Sequence, residues 1–171
     1  GSKPLPGVLA TLDKLHGLGK RIALLSNSAR RADLNTRRLR RMGFDVDRLD
    51  GVICSGETCW TLLRDRQGEP WSSLGRRCLF TTLNGDTGPV DGLGLELVDE
   101  PEQAEFLLIT GLEEREAETF RPMLERAAAL GLPMICANPD KYAPQADGLT
   151  PSPGLLAQMY ERMGGKAHYV G

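Results

Sequence analysis

Several patterns that mark specialised classes of protein are absent from this 171-residue sequence or scarce in it. No run of about 18 apolar residues occurs, so no membrane-spanning helix is predicted. The N-terminus lacks the basic and then apolar pattern of a signal peptide. The formal net charge is only −2, so no general attraction to nucleic acid or to an anionic membrane is expected.

Histidine and cysteine, the usual zinc ligands, are also scarce. There are two histidines, and the four cysteines form no C-x-x-C pair, so a zinc site is not predicted. Cys54, Cys59, Cys78 and Cys136 are instead predicted to be reduced, mostly buried thiols of a cytoplasmic protein. What the sequence does contain, 40% hydrophobic and 26% charged residues, is typical of a globular protein with a core.

The first part of the chain alternates between helical and strand patterns. In chain order the predicted elements are a helix at 6–20, a strand at 21–25, a helix at 31–42, a strand at 51–54 and a helix at 55–64. Ser55 is predicted to cap the last of these helices. This order predicts a parallel sheet that is covered by helices.

A second group of elements follows and suggests a second α/β lobe, residues 55–164, inserted into the first. The further predictions are strands at 77–82, 93–98, 106–110, 134–137 and 167–170, with helices at 113–130 and 155–163. Gly85, Gly88, Gly92 and Gly94 match neither the dinucleotide fingerprint nor a P-loop. The first two strands, joined by the stretch 83–89, are therefore predicted to form a hairpin.

The turn Ser26-Asn27-Ser28 is the first candidate site, because it directly follows a predicted buried strand. Ligands of α/β proteins bind at the carboxyl ends of strands, and the free N–H groups of a following helix favour an anion. Ser26 and Asn27 can therefore each donate a hydrogen bond to a phosphate. On local sequence alone, a plain polar turn with Asn27 or Ser28 as a helix cap stays open.

The second candidate site is Asn138-Pro139-Asp140, which also follows an apolar strand directly. Pro139 stiffens the turn and favours an extended backbone at Asn138. Asn138 and Asp140 would then project from a fixed loop. An ordinary proline turn without a binding role stays open as well.

Two other charged features are interpreted as solvated surface. Asp45 and Asp47 have the spacing of a catalytic carboxylate pair, but they follow a helix-ending glycine and not a buried strand. The predicted helix at 31–42 is rich in arginine, and such a basic face could bind nucleic acid or an acidic partner. No aromatic residue interleaves there for base stacking, so a solvated helix face is predicted.

Taken together, the motifs and their order resemble those of the class IIA haloacid-dehalogenase-like hydrolases, of the 4-nitrophenylphosphatase and sugar-phosphatase type. Residues 3–7 resemble the segment after that family's first motif, and residues 24–28 resemble its second motif, where Ser or Thr binds the substrate phosphate. Residues 137–140 resemble a recurrent tetrad, and residues 154–165 resemble the helix and turn before the third motif. The resemblance extends over nearly the whole chain.

The resemblance implies an α/β fold with a partial Rossmann-like core and an inserted α/β cap lobe of the C2 type. The implied domains are the N-terminal part of the core at 1–54, the cap at 55–164 and a strand that returns to the core at 165–171. Phosphate binding is implied for Ser26 and Asn27. Asn138 and Asp140 are predicted to lie in a cap loop that meets the substrate.

The catalytic parts of the family have no match in this sequence. The family's nucleophile and its general acid/base are the aspartates of an Asp-x-Asp-Gly motif, which would lie before Gly1. Its third-motif Lys would follow Tyr169-Val170-Gly171, and its acidic metal ligands would lie further on. We therefore expect a chain truncated at both ends, with no catalytic residue and no metal ligand of its own. Mg²⁺ is implied for the intact family member and none is expected on this chain alone.

The predicted function is that of a phosphatase-family fragment, which in the intact protein hydrolyses phosphoric monoesters through an Asp nucleophile and Mg²⁺. The alternative is a non-catalytic ligand-binding or interaction module derived from the same fold. The expected partner is a small phosphorylated metabolite. Neither nucleic acid nor a membrane is expected as a partner, and a homo-oligomer is compatible with the sequence.

Residues 1–54 are expected to pack less well than the cap, because a sheet without its central strand exposes edges and apolar faces.

Overall fold

A computed structural model describes residues 3–113, 116–145 and 148–171 and shows the predicted α/β fold. The helices are α1 (Val8–Gly17), α2 (Ala32–Arg41), α3 (Ser55–Asp65), α4 (Arg121–Ala129) and α5 (Pro153–Arg162). The strands are β1 (Ala23–Ser26), β2 (Gly51–Cys54), β3 (Arg77–Thr81), β4 (Glu96–Val98), β5 (Phe106–Ile109), β6 (Pro133–Cys136), β7 (Tyr142–Gln145), β8 (Gly148–Pro151) and β9 (Lys166–Tyr169). Within these ranges no helix is both long enough and apolar enough to cross a bilayer.

The N-terminal elements form a small unit around two parallel strands. β1 and β2 pair in register, so that Ser26 lies opposite Cys54 at the carboxyl end of the sheet. One face of this sheet is open: Leu25 is 84% exposed and Ile53 is 52% exposed. Among the described residues up to 54, Val46 and Cys54 are the buried hydrophobic side chains. The unit is therefore sparsely packed, as expected from the sequence.

The main core surrounds a five-stranded parallel sheet in the order β4-β3-β5-β6-β9. All residues of its central strand, β5, are buried, as is usual when helices cover both faces of a parallel sheet. Successive side chains point to opposite faces. Leu107 packs in a cluster with residues of α4 and α5, and Phe106 packs in a second cluster with residues of α3.

Two topological predictions are wrong. The strand predicted to return to the core at 165–171 is β9, and it pairs in parallel with β6 of the five-stranded sheet instead of joining β1 and β2. The predicted hairpin between β3 and β4 is a crossover, because these strands are parallel. Parallel neighbours require the chain to cross back over the sheet, and glycine content alone does not distinguish the two connections. The division at residues 54 and 55 falls between β2 and α3 and stays a prediction.

Three local features also differ from the sequence predictions. Ser55 is the first residue of α3 and not its cap, and its buried hydroxyl oxygen has no hydrogen-bond partner among the described residues. The α-helix predicted from residue 113 begins only at Arg121. Pro122 lies in its first turn, a position that tolerates proline because the N–H groups there have no acceptor within the helix. The antiparallel pair β7 and β8 was not predicted.

Candidate functional site

The Ser26 turn, residues 26–31, joins β1 to α2 and carries the predicted phosphate-binding residues. The N–H of Ser28 donates to the Ser26 Oγ at 3.2 Å. The Ser28 Oγ accepts from the N–H of Arg30 at 3.4 Å, and the Ser28 carbonyl accepts from the N–H of Gly56 at 3.0 Å. A hydroxyl can accept and donate at the same time. The Ser26 oxygen therefore helps to shape the turn while its proton can still be donated to a ligand.

The Asn138 turn, residues 138–140 after β6, lies directly against the Ser26 turn. Its own backbone is fixed by a hydrogen bond of 3.0 Å from the N–H of Asp140 to the Asn138 Oδ1. The side-chain amide of Asn27 donates to the carboxylate of Asp140. The two candidate turns, which are more than a hundred residues apart in sequence, thus meet. The second N–H of the Asn27 amide stays available for a ligand.

A glycine in the first turn of a helix supports each of these turns, which the sequence predictions did not include. A Cβ on Gly56 of α3 would lie 2.0 Å from the Ala29 carbonyl oxygen, and one on Gly154 of α5 would lie 2.0 Å from the Pro139 carbonyl oxygen. The N–H of Gly154 also donates to the Asp140 carbonyl at 2.9 Å. Both turns therefore rest on helix backbone at distances that only glycine allows. The signal in the sequence was a glycine one residue after each helix start.

A cleft of about 550 Å³ lies between the Ser26 turn and the carboxyl edge of the five-stranded sheet. Its wall includes residues that follow strands of that sheet and residues of the Ser26 turn, among them Ser28, Arg30, Thr82, Thr110 and Asn138. Ligand sites of α/β proteins lie at this edge of a sheet, and the volume is within the usual range for a small-molecule site. The structure therefore brings Asn138 and the Ser26 turn to one cleft.

A cluster around Arg31 fixes the Ser26 turn to α3 and to the crossover segment, residues 82–95. The Arg31 guanidinium donates to both carboxylate oxygens of Glu57, at 2.8 and 3.0 Å, and to the Gly88 carbonyl at 3.4 Å. It also stacks on Trp60, 3.8 Å from the ring centroid. The N–H of Ala32, at the start of α2, donates to Glu57 at 2.9 Å. The hydrogen bond from Arg31 holds the pKa of Glu57 below its usual range, and partial burial opposes this effect.

We expect Glu57→Gln to reduce the loss of stability on acidification. Because the pKa of Glu57 is lowered by folding, its charged form stabilises the protein above the unfolded pKa of about 4.3 and this contribution is lost as the pH falls through the folded pKa. The substitution should lower Tm at pH 7 and flatten the fall in Tm between about pH 5 and pH 3. Thermal unfolding across this range checks it. Glu118→Gln, in an exposed pair with Arg121, is the matched control and should change little; parallel Tm curves for the Glu57 variant and the unsubstituted protein would contradict the prediction.

The carboxylate pair Asp45 and Asp47 does not line this cleft. Asp47 lies in a short 3-10 helix, Val46–Arg48, where it accepts a hydrogen bond from Arg40 at 2.6 Å and its side chain is 80% exposed, which agrees with a solvated surface position. Over the described ranges, no group of three or more His, Cys, Asp or Glu side chains could hold a metal ion. The described side chains therefore do not fit a metal site built from protein ligands alone.

The cysteines behave as the sequence predicted. All four are free and buried. Burial raises the pKa of Cys59 to about 12 and that of Cys136 to about 11, so both are neutral thiols at physiological pH. Neither has the lowered pKa of a nucleophilic cysteine.

Comparison with known proteins assigns this fold to a family. The family model described as haloacid dehalogenase-like hydrolase matches residues 1–96. This chain therefore belongs to the haloacid dehalogenase-like hydrolase family. No match was found among the curated proteins.

Solved structures confirm the predicted type within the family. A haloacid dehalogenase-like hydrolase from Brucella suis is 28% identical with a TM-score of 0.85, and the match covers 98% of this chain and 60% of that protein. A p-nitrophenyl phosphatase from Archaeoglobus fulgidus is 27% identical with a TM-score of 0.68, with 98% and 61% covered. The chain thus spans about three fifths of the length of these relatives.

A third structure shows the same fold with a metal bound to the related protein. It is a glycerol phosphate phosphatase from Mycobacterium tuberculosis in complex with magnesium, which is 22% identical with a TM-score of 0.71. The match covers 100% of this chain and 50% of that protein. At this identity the likeness concerns the fold alone.

Proposed function

We propose that the native gene product is a phosphoric monoester hydrolase in which these 171 residues supply the phosphate-binding turn and the cap lobe. The observation that carries the proposal is the position of Ser26. It ends a parallel strand, its hydroxyl proton can be donated, and the turn it starts forms one wall of the cleft. In this proposal the Asp nucleophile and the Mg²⁺ ligands are residues that have no match in this sequence.

Within this division of tasks, Ser26 and Asn27 hold the phosphate and the cleft receives the rest of the substrate. The cap lobe, residues 55–164, excludes water from the reacting phosphate and contributes side chains to the leaving group. Asn138 and Asp140 belong to this contact region, because Asn138 lines the cleft and Asp140 accepts a hydrogen bond from Asn27. The substrate class is a small phosphorylated metabolite, and the free thiols support a reducing compartment such as the cytoplasm.

Loss of the Ser26 hydroxyl, which donates a hydrogen bond to the transferred phosphate in this proposal, should lower the rate of hydrolysis strongly. We expect Ser26→Ala in the native gene product to lower kcat/KM for p-nitrophenyl phosphate, assayed with Mg²⁺, by about 100-fold or more, because donors to developing charge typically contribute this much. Ser73→Ala removes an exposed serine that bonds to Glu69 and should leave the rate unchanged.

Two outcomes would contradict the proposal in different ways. If the native gene product shows no Mg²⁺-dependent hydrolysis of any phosphomonoester tested, the hydrolase proposal fails and a ligand-binding module derived from this fold replaces it. If hydrolysis is present and Ser26→Ala does not change it, the phosphatase remains and the role assigned to Ser26 is wrong.

A further inference from the structure

The arginines of the Ser26 turn and of α2 differ in their positions. Arg31, Arg37 and Arg40 form ion pairs with Glu57, Asp33 and Asp47, respectively. Arg30 and Arg38 line the cleft. The same two side chains, together with Arg41, also line a groove of about 420 Å³ beside α2. A basic wall thus continues from the groove into the cleft.

Arg30 is the member of this wall that lies nearest in sequence to the phosphate-binding serine, four residues after Ser26. The carboxylate it approaches is that of Asp86, whose Oδ2 lies 4.0 Å from the Arg30 Nε, at the outer limit for an ion pair. The Arg30 side chain remains 41% exposed. In the described part of the chain its guanidinium makes no closer polar contact, unlike that of the neighbouring Arg31. Arg30 therefore keeps its hydrogen-bonding capacity for a ligand.

Two carboxylates also line the cleft, but each is bound to the backbone of the crossover segment. The Asp86 Oδ1 accepts from the N–H of Gly88 at 3.1 Å, and the Glu113 Oε1 accepts from the N–H of Gly85 at 2.9 Å. Both side chains are thereby used to fold this segment. Among the described residues, the guanidinium of Arg30 is therefore less occupied by protein contacts than either of these two carboxylates.

We propose that Arg30 binds a second anionic group of the substrate. Preferred substrates are then phosphomonoesters whose leaving group carries a carboxylate or another phosphate. This inference rests on the proposed hydrolase function. The planar guanidinium donates two parallel hydrogen bonds to either oxyanion, which gives orientation as well as attraction. Ser26 holds the phosphate to be transferred and Arg30 holds the opposite end of the molecule.

Three synthetic monoesters of equal chain length test this in the native gene product: propyl phosphate, 3-(phosphonooxy)propanoate and propane-1,3-diol bisphosphate. We expect kcat/KM to be at least tenfold higher for one or both of the charged esters than for propyl phosphate. Arg30→Ala should raise KM for the charged esters about tenfold or more, so that most of their advantage over propyl phosphate is lost. Arg30→Lys should restore part of the difference, since it keeps the charge and loses the fork.

Arg37→Ala is the matched control, because it removes an arginine of α2 that is paired with Asp33 and 60% exposed. It should change none of the three rates. A higher kcat/KM for the carboxylate ester or for the bisphosphate shows which of the two anionic groups Arg30 binds better. Equal kcat/KM for all three esters, or an equal loss for all three in Arg30→Ala, would overturn the assignment of Arg30 while the hydrolase proposal stands. Absence of hydrolysis of every ester would overturn both.

Discussion

Replacing Gly154 with alanine is expected to destabilise the 171-residue chain by about 3 kcal/mol, which corresponds to a fall in Tm of roughly 6–12 °C. The added Cβ would lie 2.0 Å from the Pro139 carbonyl oxygen and 2.7 Å from that of Asp140. Both obstacles are backbone atoms, so relief requires the Asn138 turn or the start of α5 to move. Such a movement also strains the hydrogen bond of 2.9 Å from Gly154 to Asp140. Urea or thermal unfolding of the variant measures the effect.

Gly17→Ala is the matched control for this substitution. Gly17 ends α1, and a Cβ there would meet nothing within 4 Å. Alanine should be neutral or stabilising by up to about 1 kcal/mol, because it has the higher helix propensity. If both variants had the same free energy of unfolding, the close packing of α5 against the Asn138 turn would be refuted. A normally stable Gly154→Ala protein would refute it as well.

Leu107→Ala is expected to cost about 2–5 kcal/mol, whereas Leu25→Ala in the same 171-residue chain should cost little. Leu107 lies in the central strand β5 with no exposed surface, so its truncation loses hydrophobic burial and leaves a cavity between the sheet and α4. Leu25 lies in β1 and is 84% exposed. The two substitutions remove the same atoms from strands of two different sheets, so the difference in unfolding free energy reports only their surroundings.

Equilibrium denaturation of both variants, followed with one signal from the β1 and β2 sheet and one from the five-stranded sheet, measures the two losses of stability. Similar losses for the two leucine variants would mean that the exposed face of the β1 and β2 sheet is covered in solution, for example by association of chains. In that case the loss in Leu25→Ala would depend on protein concentration, and the loss in Leu107→Ala would not.

The identity of the candidate turns was predictable because the signals are local. An apolar run that ends in Ser26-Asn27-Ser28, and another that ends in Asn138-Pro139-Asp140, each predict a strand followed by a polar turn. The contact between Asn27 and Asp140 was not predictable from these signals, because it depends on where α5 and β6 place the second turn. The same applies to Arg30 and Arg31, which are alike in sequence. Only the structure shows that Arg31 is bound by Glu57 while Arg30 lines the cleft.

The errors have the same origin. The pattern of residues 166–169 predicts a strand correctly, but it does not state which sheet the strand joins, and β9 pairs with β6. The crossover segment was predicted as a hairpin because turn residues are common to both kinds of connection. Ser55 was predicted as a cap from residue type alone, whereas the helix begins one residue earlier than that role requires.

The sequence by itself determined the alternation of helices and strands, because this depends on neighbours within a few positions along the chain. It also determined the family, because short motifs occur in the family's order. Tertiary structure alone decided strand order, the meeting of the two turns, the cleft and the separate roles of two adjacent arginines. These features depend on contacts between residues far apart in sequence, whose partners are selected by packing and charge once the sheet has formed.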